Sequence, residues 1–401
     1  MSNRISRRRF VAGGAIATAS AVTVSRLTNG EARSHSQRRL QAASTFFSVI
    51  RPPDFITAYE GTRSIPLIRS NGVWVANGMT VHADPQPTVP DSTQLSVSLS
   101  SSARPLSRLH LRWQMRIASR LRFLGDHWER GYGDLEWRGL VGERVMPWYF
   151  VAHDGRHTHG YGVAVQPNAM AFWRVDNAGV SLWLDVRNGG SPVVLGERIL
   201  ELCKIVTREG RGDESPWQAT RRFCTLMSRA PRMPPAPVYG GNNWYYAYGK
   251  SSAREIERDA GLMSELAGAA KNRPFQVIDD GWQLSTSVNA CCGGDPWDKS
   301  NGSFPDMPRL AERIKALGAR PGIWMRPLLT QERGLESWTL HAPHDGGRVL
   351  DPTIPEVRER IRNDVAGLVS WGYELVKHDF STYDLFLRWG RVMGSSLTTD
   401  G

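Results

Sequence analysis

Cysteine is scarce: 401 residues hold four. That is too few to staple a chain of this length, so a disulfide scaffold is excluded. By position Cys203 and Cys224 could pair, while Cys291 and Cys292 are adjacent. Long apolar runs are absent, and without a stretch of eighteen or so apolar residues no mature helix spans a bilayer. The ten histidines are scattered with no zinc-ligand spacing. Acidic residues are outnumbered, 39 to 50, giving a net charge of +11. That excess is local. Eight arginines and one acid in the first forty residues carry +7 of it, leaving +4 for the remainder. A basic excess confined to a tail gives no ground for a nucleic-acid partner. A hydrophobic share of 40% with 22% charged residues excludes disorder and describes a globular chain.

The tail reads as an address. Ser6-Arg7-Arg8-Arg9-Phe10 matches the twin-arginine export signal, and a weakly apolar stretch follows from Val11 to Val24. Residues 1–35 are therefore expected to be a twin-arginine signal peptide, with cleavage between Thr28 and Ala43 and delivery to the periplasm or cell exterior. The plainer alternative is a disordered basic tail.

Two patterns divide the rest. Over residues 45–230 apolar positions recur every second residue, as in Leu109, Leu111, Trp113, Met115 and Ile117. Further strands are expected at Leu95 to Leu99, Trp148 to Ala152, Gly162 to Val165, Ala171 to Val175, Val180 to Val186 and Ile199 to Val206. Short strands at this spacing predict an antiparallel β-sandwich, closed by a helix over Pro216 to Ser228. Pro231, Pro234, Pro235 and Pro237 form a stiff linker. Over 237–401 apolar runs (Val238 to Tyr246, Phe275 to Ile278, Gly322 to Met325, Tyr373 to Val376) alternate with amphipathic helices. One opens at Ser252-x-x-Glu255, a second carries Leu310, Ile314 and Leu317, and a third starts at Pro355 and ends at Gly372. Such repetition predicts a parallel sheet. A doubly wound sheet and a (β/α)8 TIM barrel both fit, but no Gly-rich phosphate turn follows the first strand, which disfavours the former.

In a barrel the chemistry sits where strands end. The second strand ends Asp279-Asp280-Gly281-Trp282, the third Trp324-Met325-Arg326-Pro327 and the fourth Lys377-His378-Asp379, while the first passes through Asn242, Asn243 and Trp244. Lys377 and Asp379 are two apart and share a face. A lysine beside a carboxylate favours its charged form, as a glycosidase nucleophile needs. A structural ion pair has the same spacing. Asp279 and Asp280 could receive sugar hydroxyls, bind a metal or cap a loop.

These residues carry a resemblance. From Tyr132-Gly133-Asp134-Leu135-Glu136-Trp137 through Asp279-Asp280-Gly281-Trp282 and Lys377-x-Asp379, in order, the chain resembles the α-galactosidases (melibiases) of glycoside hydrolase families 27 and 36. The resemblance implies Asp379 as catalytic nucleophile, Lys377 as a ligand of sugar hydroxyls and Asp279 and Asp280 as readers of O4 and O6. It implies Trp244 as a platform for the sugar and Trp324 as the third-strand aromatic. Its implied partner is a galactosylated oligosaccharide or polysaccharide, with no cofactor and no metal. Three positions depart from the family: His378, Ser381 and Arg326-Pro327. They leave α-N-acetylgalactosamine and β-L-arabinopyranose open as sugars, and a catalytically silent carbohydrate-binding protein open as an alternative.

A full barrel takes about 250 residues, and 165 run from Pro237 to Gly401 inclusive. The expected architecture is therefore multidomain, a sandwich followed by a barrel truncated after about four strands. The acid/base carboxyl is unknown and expected beyond Gly401. Asp384 or Asp400 substituting for it is a lesser expectation. Asp295 and Trp297, after the second strand, are candidate substrate contacts by position.

Overall fold

The computed structural model describes residues 46–87, 91–128, 135–284, 293–340 and 347–386. The signal-peptide expectation, Tyr132 to Asp134, Cys291, Cys292 and Asp400 lie outside these.

Period-two patterning becomes an antiparallel ladder. Its strands are β1 (Phe55–Glu60), β2 (Arg63–Ser70), β3 (Val73–Ala76), β4 (Met79–Pro85), β5 (Thr93–Ser101), β6 (Arg108–Gln114) and β7 (Arg122–Gly125). They continue with β8 (Met146–Pro147), β9 (Tyr149–His153), β10 (Thr158–Val163), β11 (Met170–Asp176), β12 (Gly179–Asp185) and β13 (Ile199–Arg208). The expected sandwich is a continuous thirteen-stranded sheet, ordered β7-β9-β10-β13-β5-β4-β3-β2-β1-β6-β12-β11-β8. Its two halves share one core. Leu109, Leu111 and Trp113 of β6 and Val180, Leu182 and Leu184 of β12 are fully buried together with Leu95, Val97 and Leu99 of β5.

Strand β6 ends at Gln114, before Met115 and Ile117, and β10 begins at Thr158, four residues ahead of the expected start. The hairpins β2–β3 and β3–β4 turn at Asn71-Gly72 and Asn77-Gly78, where all four residues have positive φ (49°, 85°, 49° and 82°). This is the two-residue turn that Asn-Gly favours. Helix α1 (Pro216–Met227) has a full capping box between Ser215 and Gln218. It covers β10 at Gly160 and Gly162, where any Cβ would overlap Phe223 or Met227. Cys203 is a free thiol, so its possible pairing with Cys224 is not made, and burial pushes the Cys203 thiol up to about 12.

Past the exposed prolines the winding changes. Strands β14 (Gly240–Asn242), β15 (Phe275–Ile278), β16 (Arg320–Met325) and β19 (Leu375–His378) pair in parallel in that order. Helix α3 (Ala253–Ala267) lies between the first two, α4 (Met307–Ala316) between the next two and α5 (Pro355–Ser370) before β19. A short hairpin of β17 (Leu329–Thr330) and β18 (Arg348–Val349) precedes α5. Ser252, Asp306 and Pro355 start the helices, as expected of N-cap and first-turn residues. The Ser252 hydroxyl donates to the Glu255 carboxylate (3.1 Å) and accepts from the Glu255 N–H (3.4 Å).

Sequential neighbours with right-handed crossovers put every helix on one face of the sheet. Accordingly Ile256, Ala260, Leu310, Ile314 and Leu368 pack on Ile278 and Ile323 in one core. A doubly wound sheet reverses its strand order and covers both faces. Among the described strands β14 and β19 are the open edges. The first strand is shorter than expected, and Trp244 lies on a four-residue helix, α2 (Trp244–Ala247). The cause is local: Asn242 Oδ1 accepts the Trp244 N–H at 3.0 Å and turns the chain out of the sheet.

Candidate active site

The parallel sheet lifts one row of side chains to the C-terminal ends of its strands. Alternation places Val277, Gly322 and Leu375 in one layer, where a Cβ on Gly322 would meet Val277 and Leu375. The next layer on that face holds Asp279, Trp324 and Lys377, the last two being register partners. Asp279 Oδ2 accepts from Asn242 Nδ2 and from Lys377 Nζ, each at 2.6 Å. Lys377 Nζ also stands 3.9 Å from Asp379 Oδ2. Trp324 Nε1 donates to that same oxygen at 3.0 Å, and the Phe380 N–H donates to Asp379 Oδ1 at 2.9 Å. One polar network thus crosses four strands.

Burial divides its members. Asp279 is 3% exposed, whereas the Lys377 and Asp379 side chains are each 36% exposed. A reacting molecule can reach Asp379 and the ammonium next to it, with Asp279 beneath. Asp279 has no oxygen to spare for proton transfer. Its Oδ1 takes the Asp280 N–H (2.9 Å), and its own N–H is held by Asn243 Oδ1 (2.7 Å).

Asp280 is 6% exposed and accepts from Gln283 Nε2 at 2.5 Å, so it serves the turn that Gly281 makes possible. Gly281 has φ +107°, and a Cβ there would lie 2.3 Å from the Gly249 carbonyl oxygen. Trp244 is half-buried and packs edge-on against Tyr248 at 5.5 Å.

Trp324 is 1% exposed and bonded to Asp379, so it acts on the carboxylate from below; its carbonyl accepts the Trp282 Nε1–H at 2.9 Å. Trp297 is 2% exposed and packed between Trp282, in a tilted contact, and Trp324, edge-on, and Asp295 is 1% exposed and held by Arg360 at 2.9 Å. The positional expectation that Asp295 and Trp297 touch substrate is therefore corrected: both side chains are buried against protein. Asp384, a lesser candidate for acid/base, is fully buried against Arg326.

Sequence reasoning gave no role to Asn242 or Asn243, although both sit at a strand end beside the Asp-Asp turn. Asn243 is fully buried, and its Nδ2 has no partner among the described residues. Among the described residues no group of three or more His, Cys, Asp and Glu is set to hold a metal ion. No helix among them is long and apolar enough to cross a membrane.

No family model matches this chain. No curated protein matches it either. Solved structures do. The α-galactosidase of Thermus thermophilus, in complex with p-nitrophenyl α-D-galactopyranoside, is 17% identical over 75% of this chain and 61% of that chain, with a TM-score of 0.46. A family 36 α-galactosidase of Geobacillus stearothermophilus, in complex with 1-deoxygalactonojirimycin, is 15% identical over 82% of this chain and 55% of that one, with a TM-score of 0.45. The α-galactosidase of Lactobacillus brevis is 15% identical over 82% and 50%, with a TM-score of 0.48. Such identities assign no role to any residue of this chain. The chain is similar in structure to α-galactosidases of glycoside hydrolase family 36, and it spans 61%, 55% and 50% of the three chains named.

Proposed function

We propose that this chain is part of a retaining glycoside hydrolase that removes terminal α-D-galactosyl residues from oligosaccharides or polysaccharides, with Asp379 as nucleophile. The observation that carries the reading is the exposed Asp379 carboxylate, fixed by the Trp324 indole and the Phe380 N–H with Lys377 3.9 Å away. A carboxylate held by donors from beneath and open above can attack an anomeric carbon. In that role its oxygen would bond to C1 as the glycosidic bond breaks, giving a glycosyl ester that water then opens with net retention. Lys377 and Asp279, already bonded to each other, would exchange part of that contact for adjacent sugar hydroxyls, and Trp244 would offer its ring to the apolar face of the sugar. The choice of galactose rests on the order of Asp279-Asp280-Gly281-Trp282 and Lys377-x-Asp379 along the strands.

Retention needs a second carboxyl about 5 to 5.5 Å from the first. Asp279 and Asp384 are both committed to protein donors. We therefore assign the acid/base to a further segment, on the reading that this four-stranded sheet belongs to a (β/α)8 barrel. Export by the twin-arginine route, to the periplasm or cell exterior, is part of the same proposal. The committed state of Asp279 and Asp384 favours one other reading, a sugar-binding protein without turnover.

The test is an assay of the natural full-length product against aryl α- and β-glycosides, with isothermal titration of galactose alongside. Selective cleavage of the α-galactoside supports the proposal. Galactose binding without cleavage of any glycoside would replace it by the binding protein.

A further inference from the structure

We infer that Arg326 and Asp384 are positioning residues for Asp379, an inference that rests on the reading of Asp379 as the reacting carboxylate. Arg326 directly follows β16, and Asp384 lies on α6 (Ser381–Phe386), the helix that begins two residues after Asp379. Both side chains are buried, at 4% and 0% exposure. Arg326 Nη2 donates to Asp384 Oδ1 at 2.5 Å, and its Nε lies 3.2 Å from both carboxylate oxygens. Charges buried this deeply persist where each satisfies the other through several bonds, and removing one strands the other.

What the pair holds is the peptide next to Asp379. Phe380 has φ +64°, a conformation that a residue with a Cβ keeps only when its surroundings impose it. Two contacts impose it here. The Arg326 guanidinium lies over the Phe380 ring at 4.2 Å, and the Asp384 N–H donates to the Phe380 carbonyl at 2.8 Å. In that conformation the Phe380 N–H meets Asp379 Oδ1. The far end of α6 is pinned as well, because Phe386 packs with Phe172 and Trp183 of the antiparallel sheet, and the Leu385 carbonyl accepts the Gly190 N–H at 2.8 Å. Without the pair, Phe380 relaxes toward negative φ, its N–H leaves Asp379, and the carboxylate loses its aim. Lys377 and Asp279 lie outside this chain of contacts, so the loss falls on the chemical step and spares sugar binding.

The test uses the full chain with Arg326→Lys, Asp384→Asn and the double substitution Arg326→Met with Asp384→Leu. The double variant removes both charges together, so neither is left buried without its partner. The probe is an α-D-galactosyl fluoride deactivated by a second ring fluorine. A carboxylate oxygen of Asp379 bonds to C1, fluoride ion departs with the bonding pair, and the ester accumulates. The expected result is a labelling rate at least ~10-fold lower in the double variant, with the half-saturating concentration within ~2-fold of the parent. An unchanged rate, or a change confined to half-saturation, would overturn the inference.

Amide hydrogen exchange reads the clamp without any sugar. Faster exchange at Phe380 and Asp384, with β15 and β16 unchanged, is expected in the double variant, and unchanged exchange there would also overturn it. A parent protein that resists labelling while its double variant loses protection at Phe380 counts against the proposed function and leaves the clamp standing.

Discussion

Asp379 depends on donors of two kinds, an indole from a neighbouring strand and its own following peptide. Trp324→Phe keeps the buried ring and removes the N–H at 3.0 Å. A hydrogen bond to a charged group contributes about 1.5–3 kcal/mol, so the variant should attack a galactosyl donor about 10- to 100-fold more slowly. Stopped-flow measurement of the first turnover checks this, and a parent-like rate would mean the indole bond is incidental. Gly281 is the second point of sensitivity. Gly281→Ala drives a Cβ to 2.3 Å from the Gly249 oxygen at φ +107°, and should cost about 2 kcal/mol or more of stability by urea unfolding. At this scale the sequence was informative where alternation governs. Lys377 and Asp379 do share a face, and His378 turns away to meet the Ser381 hydroxyl. It was silent on the pairing of Arg326 with Asp384, which meet across 58 residues through a helix that no periodicity announces.

Among the elements, α5 carries an acidic side chain in an unfavourable setting. Burial, reinforced by Asp295, Glu332 and Asp298 and opposed by Arg360, raises the Asp364 carboxyl from 3.8 to about 6. Below the unfolded value both states are protonated and the group is neutral in its effect. Between about pH 4 and pH 6 the folded state retains a proton that the unfolded state has lost, so stability from this group declines across that window as pH rises. Asp364→Asn should raise the thermal midpoint at pH 7.5 and leave it nearly unchanged at pH 3.5. Equal shifts at both values would contradict the sign. The helices themselves were legible because their caps and apolar spacing are local, down to Ser252 and Pro355, although the Asp306 cap was not foreseen. The strand expected through Trp244 failed because one asparagine side chain, Asn242, outbid the ladder for the next peptide. The hairpins at Asn71-Gly72 and Asn77-Gly78 join β2, β3 and β4, strands that were not expected from the sequence although Asn-Gly favours such a turn.

At the scale of the molecule, the parallel sheet carries Asp279, Trp324 and Lys377 along one rim and, among the described strands, open edges at β14 and β19. The antiparallel sheet braces the rim from the side through Phe172, Trp183 and Phe386. The division into a strand-rich half and a strand-helix half was readable from the change of hydrophobic period. That the thirteen strands form one continuous ladder was not, since pairing between β13 and β5 or β12 and β6 depends on partners 65 to 114 residues apart. The central claim is that Asp379 forms a covalent bond to the sugar. Incubation of the full chain with the deactivated α-D-galactosyl fluoride, followed by peptide mass mapping, tests it most directly. The account predicts one sugar ester per chain, on the peptide containing Asp379, and none in Asp379→Asn. A label at another carboxylate, or persistence of the label in Asp379→Asn, would contradict it.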